Sequence, residues 1–139
     1  MLRTSVAVDD TLLEEMLAAD NWPFERLDDN TWRSGFRTEK EQFRFFVRLT
    51  ENWVYLTIIP FVTLPDEDVR LLEVFRRLLE LNREITLAKF AIDKRDVVLT
   101  VELPTESLQP SQFKDGLDAL SFYANKHHAE LVELSTLLS

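Results

Sequence analysis

The chain has 139 residues and a formal net charge of −9, with no cysteine and only two glycines. The absence of cysteine excludes disulfides, thiolate nucleophiles and the commonest zinc sites. Two isolated glycines do not build the glycine-rich loops that hold phosphate groups. The negative charge disfavours nucleic acids and anionic membranes as partners.

The apolar content predicts one packed domain over residues 1–139. The chain is 45% hydrophobic and 11% aromatic, which is typical of globular proteins. The longest apolar stretch, residues 53–64, is interrupted by Pro60 and is shorter than the ~20 residues that span a bilayer. Residues 1–10 lack the apolar core of a signal peptide. We therefore expect a cytoplasmic protein with no membrane partner.

The first half of the chain predicts a helix followed by strands. Asp9 or Asp10 caps a helix that ends near residue 20, and residues 31–37 are predicted as a strand. Residues 42–49 alternate in the way of a strand with one solvated face. The apolar face carries Phe43, Phe45, Val47 and Leu49, and the other face carries Arg44, Phe46 and Arg48.

The rest of the chain predicts one more strand of the first group, a helix, two further strands and a final helix. Residues 53–61 are a strand that is apolar on both faces, with Val54, Leu56 and Ile58 on one and Trp53, Tyr55, Ile59 and Phe61 on the other. A helix capped by Asp66 runs to about residue 81, and strands follow at 85–92 and 97–103. Ser111 caps a long final helix with an apolar stripe of Phe113, Leu117, Leu120, Ala124, Leu131 and Leu138. The order αβββαββα predicts an α+β fold with three helices and one antiparallel sheet of about five strands.

The second helix is apolar over an unusually wide arc. Its apolar residues are Leu71, Leu72, Val74, Phe75, Leu78, Leu79 and Leu81. They cover about 180°, whereas packing on one sheet face needs ~100°. A homodimer would cover the excess, with Leu71, Val74, Phe75, Leu78 and Leu81 as the candidate interface. The alternative is a helix seated deeply in the core of a monomer.

Four aromatic residues are candidates for contact with a partner protein. Trp53, Tyr55 and Phe61 lie on one predicted face of the central strand, and rigid aromatics give large contact area at low entropic cost. A helix or a dimer partner covering that face entirely is the alternative. Phe122 falls opposite the apolar stripe of the final helix, where a single exposed aromatic is also common.

The ionisable residues predict neither a metal site nor a catalytic site. His127 and His128 diverge by about 100° on a helix and cannot chelate one metal together. His127 falls at the edge of the apolar stripe, which predicts a structural histidine. The carboxylates at 9–10, 28–29 and 66–68 lie where helix caps and turns are expected. No Gly-x-Ser-x-Gly sequence occurs, so we expect no enzyme and no cofactor.

The order of elements, together with the passage from Leu78 to Leu103, resembles the YbjN-domain family over most of the chain. The resemblance rests on Leu81, Asn82 and Arg83, then Lys89, Phe90, Ile92 and Asp93, then residues 98–103 and the closing long helix. It implies a bacterial, non-enzymatic protein of a family described as regulators of sensory transduction, with a fold like that of type III secretion chaperones. Those chaperones are acidic homodimers that bind extended segments of client proteins. No client-binding residue can be transferred, because the resemblance contains no defined binding motif.

The leading hypothesis is a homodimeric protein-binding or regulatory domain of chaperone-like type. The second is a sensor that holds a small hydrophobic ligand in a pocket between the sheet and a helix. The third, an enzyme of an unfamiliar kind, is disfavoured by the lack of cysteine, glycine loops and clustered histidines.

Overall fold

The computed structural model describes residues 7–136, so the predictions for residues 1–6 and for Leu138 lie outside the described residues. Within residues 7–136, three helices and six strands follow one another. They are α1 (Asp10–Ala19), β1 (Glu25–Asp28), β2 (Thr31–Arg37), β3 (Gln42–Leu49), β4 (Trp53–Thr63), α2 (Asp68–Glu84), β5 (Ala88–Asp93), β6 (Asp96–Pro104) and α3 (Pro110–Ser135). The predicted α+β class with three helices and one antiparallel sheet is confirmed.

The sheet has six strands rather than about five, because β1 was not predicted. β1 is exposed at all four positions, so its sequence lacks the alternation of buried apolar residues from which a strand is predicted. It is an edge strand that pairs antiparallel with β2, with Glu25 opposite Arg33. Like many edge strands it is short and charged, which blunts unwanted pairing.

Two predicted helix caps were wrong, each for a local reason. Glu67, not Asp66, accepts the hydrogen bond from the first turn of α2, because Asp66 is held by Arg95 at 2.6 Å. The long helix α3 begins after Gln109, whose amide donates to the Gln112 side chain at 2.9 Å. Ser111 lies inside the helix as a consequence. The cap of α1 by Asp9 agrees with the prediction.

All three helices lie on one face of the sheet. The strand order is β1-β2-β3-β4-β6-β5, with every neighbouring pair antiparallel. The helix α3 packs closely on the middle of the sheet at Gly116. A Cβ atom there would lie 3.0 Å from Leu103 and 3.3 Å from both Leu56 and Val101. The indole of Trp32 donates to Glu14 of α1 at 2.8 Å, so α1 covers the same face over β2.

The outer edge of β5 is closed by the side chain of Asn82. Its carbonyl oxygen accepts from the Phe90 amide at 2.7 Å, and its NH₂ group donates to the Phe90 carbonyl at 3.0 Å. The helix α2 extends to Glu84, three residues beyond its predicted end, which brings β5 to begin at Ala88 rather than at Ile85. Asn82 thereby occupies backbone groups that another strand would otherwise pair with.

No helix in the described part of the chain is long and apolar enough to cross a membrane.

Candidate protein-binding surfaces

Within residues 7–136, no helix covers the face of the sheet opposite α1, α2 and α3. Trp53 and Tyr55 lie on this open face, Trp53 being 43% exposed and Tyr55 half-buried. Tyr55 stands opposite Arg48 of β3, and the Arg48 guanidinium lies 5.0 Å from the centre of its ring. Phe46 of β3 is half-buried beside them. This side of the central strand therefore presents aromatic surface that none of the helices contacts.

Phe61 does not belong to this face, which corrects the prediction that grouped it with Trp53 and Tyr55. Ile58 pairs with Leu99 and Val62 pairs with Val97, so β4 advances four residues while β6 advances two. This bulge breaks the strict alternation that the prediction assumed. Phe61 turns into the core, where it is 4% exposed. The signal for the irregularity was Pro60, since proline within a strand is confined to edges and bulges.

Phe122 is exposed, as predicted, but on the helical side of the molecule. It is 59% exposed, with the Tyr123 ring 5.3 Å away edge to face and the Lys126 ammonium 5.8 Å from its centre. An open cleft next to it is walled on the other side by Trp22 and Phe36. Phe122 and Trp53 therefore lie on two different surfaces and cannot form one binding site.

The five residues predicted for a dimer interface face inward. Val74, Leu78 and Leu81 are buried within the protomer, and Leu71 and Phe75 are half-buried. These residues fit the alternative prediction, a helix seated deeply in the core of a monomer. The helix is seated against α3 and β5. Arg77 of α2 reaches Glu130 of α3 through bonds of 2.5 and 3.3 Å.

The excess apolar surface of α2 lies at other positions. Val69 is 61% exposed, Leu72 is 67% exposed and Leu79 is 71% exposed. Leu72 follows Val69 by three residues and Leu79 follows Leu72 by seven, so the three side chains lie on one stripe of the helix. The exposed Arg76 lies on the same stripe between Leu72 and Leu79. The wide apolar arc is therefore divided between an inner face that packs in the core and this outer stripe, which is free in the protomer.

Both histidines are in aromatic surroundings. His127 is 5% exposed, and its ring stacks with Tyr123 at 6.2 Å and meets the edge of Phe90 at 6.3 Å. Burial, together with the nearby Lys126 charge, lowers the pKa of His127. His128 packs edge to face between Phe43 and Phe61, at 5.0 and 5.1 Å. The structural role predicted for His127 agrees with its burial. Within residues 7–136, no group of three His, Asp or Glu side chains is placed to hold a metal ion.

The acidic pairs serve local structure. Asp9 caps α1, and Asp10 bonds to Arg26 at 2.9 Å. The hydrogen bond from Arg26 lowers the pKa of Asp10. Asp28 accepts from the Asn30 amide in the turn after β1 at 2.9 Å. These carboxylates lie at separate turns rather than around one pocket, so they provide no acid–base pair.

One feature of the open face was not predicted as a site. Arg33 and Arg37 of β2 share this face with Arg44 and Arg48 of β3, as the strand pairing requires. The alternation of β3 had placed Arg44 and Arg48 together, but their approach to β2 depends on strand register. An acidic protein thus carries a basic strip beside its exposed aromatics.

Chains of two solved protein complexes have a similar fold. A chain of the heterodimeric ExoU–SpcU complex from the type III secretion system of Pseudomonas aeruginosa is 21% identical, with a TM-score of 0.61 over 88% of this chain and 97% of that chain. A chain of the ExsC–ExsE complex is 19% identical, with a TM-score of 0.60 over 89% of this chain and 97% of that chain. The fold is therefore that of the type III secretion chaperones.

Within that class, the family is shown by the sequence itself. The profile of the YbjN family, described as "Putative bacterial sensory transduction regulator", matches residues 9–125. The chain belongs to this family, which confirms the resemblance found in the sequence. The structure of YbjN from E. coli is similar, with 14% identity and a TM-score of 0.66 over 91% of this chain and 96% of that chain. A search of curated proteins gives no match.

Proposed function

We propose that this chain is a non-enzymatic, cytoplasmic regulator of chaperone-like type, one domain that binds another polypeptide and acts as a homodimer. The observation that carries the proposal is the uncovered sheet face with Trp53 and Tyr55. Large aromatic side chains left in contact with solvent are the usual anchors of protein interfaces. The complexes in which the similar chains were solved, ExoU–SpcU and ExsC–ExsE, support a protein partner.

In the proposed homodimer, the two chains contact each other through the outer stripe of α2. Val69, Leu72 and Leu79 are each more than 60% exposed. The stripe runs from Val69 to Leu79, so it offers a contact about 15 Å long at 1.5 Å per residue. Two such helices side by side would bury the stripes against each other, in the manner of a short coiled-coil seam. This contact replaces the interface predicted from the sequence, whose residues lie on the inner face of the same helix.

Light scattering at micromolar concentration tests the dimer. We expect a dimer mass for the wild-type chain and a monomer mass for the double variant Leu72→Glu, Leu79→Glu, because paired carboxylates would be buried without partners. Leu27→Glu is the matched control, since Leu27 is 42% exposed on β1 at the far edge of the sheet. A monomeric wild-type chain would remove the homodimer from the proposal.

A small-ligand sensor stays as the second candidate because of one cleft. It has a volume of about 490 Å³ and is lined by Phe61, Val62, Leu64 and Val132, among others. Sites for small molecules typically measure ~300–1,000 Å³. The Ser135 hydroxyl borders the cleft and is buried with no hydrogen-bond partner in the described structure. A bound molecule with one acceptor would satisfy it.

Native mass spectrometry of the protein purified from its own host separates the two functions. A polypeptide adduct supports the protein-binding proposal. A stoichiometric bound mass of a few hundred daltons that is lost in a Val132→Trp variant, designed to fill the cleft, supports the sensor instead.

A further inference from the structure

Three arginines of the open face surround one glycine. Arg33 and Arg37 flank Gly35 two residues away on either side of β2, and Arg44 stands directly opposite it on β3. Residues two apart on a strand point to the same face and are roughly 6.6 Å apart, and opposite residues are ~4.5–5.5 Å apart. The three arginines therefore flank Gly35 on the same face and line one groove.

The glycine keeps that space empty. A Cβ atom on Gly35 would lie 2.8 Å from the Phe43 carbonyl oxygen, so the close approach of β3 requires glycine here. Because no side chain rises from this position, a groove of about 430 Å³ opens between the neighbouring side chains. Its lining has three arginines (Arg33, Arg37 and Arg44) against one carboxylate, Glu25, and it includes the exposed Phe24. The groove is thus cationic with an apolar border.

The positive charge in this groove is poorly compensated. Arg33 bonds to Glu25 at 3.0 and 3.1 Å, but the Glu25 side chain is 63% exposed. An exposed ion pair of this kind contributes little to stability, so another carboxylate can replace Glu25 readily. Arg37 donates only to the neutral Gln42 side chain, at 3.2 Å. Arg44 is exposed and has no hydrogen-bond or ion-pair partner among residues 7–136. Two guanidinium groups therefore lack a carboxylate.

The basic groove continues into the aromatic part of the same face. Arg44 lies four residues from Arg48 along β3, and Arg48 is opposite Tyr55, two residues from Trp53. Six strand residues span roughly 20 Å. An extended peptide of six or seven residues covers that length, with carboxylates at the arginine end and apolar side chains at the tryptophan end.

We propose that the open sheet face binds an extended acidic polypeptide segment whose carboxylates are held by Arg33, Arg37 and Arg44 around Gly35. This inference rests on the proposed function and specifies the chemistry of its partner. Guanidinium groups bind carboxylates through paired hydrogen bonds. Nucleic acid is a poorer fit because the chain carries a net charge of −9, which opposes a long polyanion.

The test uses the full chain, labelled with ¹⁵N, and two synthetic peptides of about twelve residues. In the first, a half rich in glutamate is followed by a half of valine and tyrosine, and in the second each glutamate is replaced by glutamine. We expect the acidic peptide to shift the amide signals of Arg33, Gly35 and Arg44, with an affinity that falls as NaCl is raised. The glutamine peptide should bind at least tenfold more weakly.

Two charge-reversal variants separate the local site from the overall charge. Arg44→Glu and Lys94→Glu each change the net charge by −2, from −9 to −11, and Lys94 lies in the turn between β5 and β6 at the other end of the sheet. Arg44→Glu should weaken binding of the acidic peptide at least tenfold with an unchanged melting temperature. Lys94→Glu should change the affinity less than twofold.

Several outcomes would overturn the inference. Equal binding of both peptides on these strands would remove the acidic requirement while leaving polypeptide binding by the sheet intact. Shifts on another surface, or no binding of the acidic peptide, would also contradict it, as would tighter binding of a twelve-nucleotide thymidine strand at the same arginines. Loss of a dimer in Arg44→Glu would assign the face to a second copy of the chain instead.

Discussion

Replacing Trp53 by alanine separates a binding anchor from a core residue. Trp53 is 43% exposed, and a tryptophan offers up to ~250 Å² of surface, so about 100 Å² remains for a partner to cover. At ~25 cal/mol per Å² this area contributes about 2.5 kcal/mol to binding. We therefore expect Trp53→Ala to weaken the Kd for a bound polypeptide about 60-fold. The assay is titration calorimetry with the polypeptide that co-purifies with the wild-type chain.

The matched control is a tryptophan in the core of the same sheet. Trp32 is 0% exposed, and its truncation should cost ~3–5 kcal/mol of unfolding free energy, as for large aromatics in cores. Trp53→Ala should cost clearly less in urea unfolding, because part of its ring is already in solvent. If Trp53→Ala is destabilised as much as Trp32→Ala and its Kd is unchanged, Trp53 is a core residue and the open-face argument is refuted.

The remaining predictions concern stability and metal content. The pKa of His127 is lower in the native protein than in the unfolded chain. As the pH falls through the ordinary pKa of histidine, the unfolded chain therefore binds more protons than the native protein, and the free energy of unfolding decreases. The drop in melting temperature from pH 7.5 to 5.5 should be smaller in His127→Asn than in the wild type, and an equal drop would contradict this. Asn82→Ala should cost about 1–2 kcal/mol in urea unfolding and promote aggregation seen by light scattering, because Phe90 loses both edge hydrogen bonds. Glu130→Gln should cost about 1 kcal/mol or less of unfolding free energy, since its bond to Arg77 is partly exposed. A loss above ~3 kcal/mol would contradict that expectation. Elemental analysis of protein kept from metal columns should show no stoichiometric metal, and bound zinc, nickel or iron would overturn the structural reading of the two histidines.

Much of the fold could be predicted because it is encoded in local periodicity. On β3, Phe43, Phe45 and Val47 are buried while Arg44 and Arg48 are exposed, as their alternation indicates. The apolar stripe of α3 behaves in the same way from Phe113 to Leu131. The helix and strand order follows from these periods and the turns between them. The family resemblance was also recognisable from residue types alone.

Other features were beyond local reasoning. Phe61 was assigned to the wrong face because the bulge in β4 depends on how that strand pairs with β6. The dimer interface was assigned to the inner side of α2 because a wide apolar arc does not indicate which part of it packs against the core. The inward position of Val74 and the exposure of Leu72 follow from packing against α3 and β5.

Apart from β1, the elements, their order and the core-facing side of the regular ones follow from the amino-acid sequence, since each residue's preference acts over a few neighbours. Tertiary packing is what sets all three helices on one face and leaves Trp53 and Tyr55 open. It alone placed Arg44 opposite Gly35 and turned Asn82 onto the edge of β5. These relations join residues that are distant along the chain, and strand register and helix placement are fixed by the burial of the whole core rather than by any one segment.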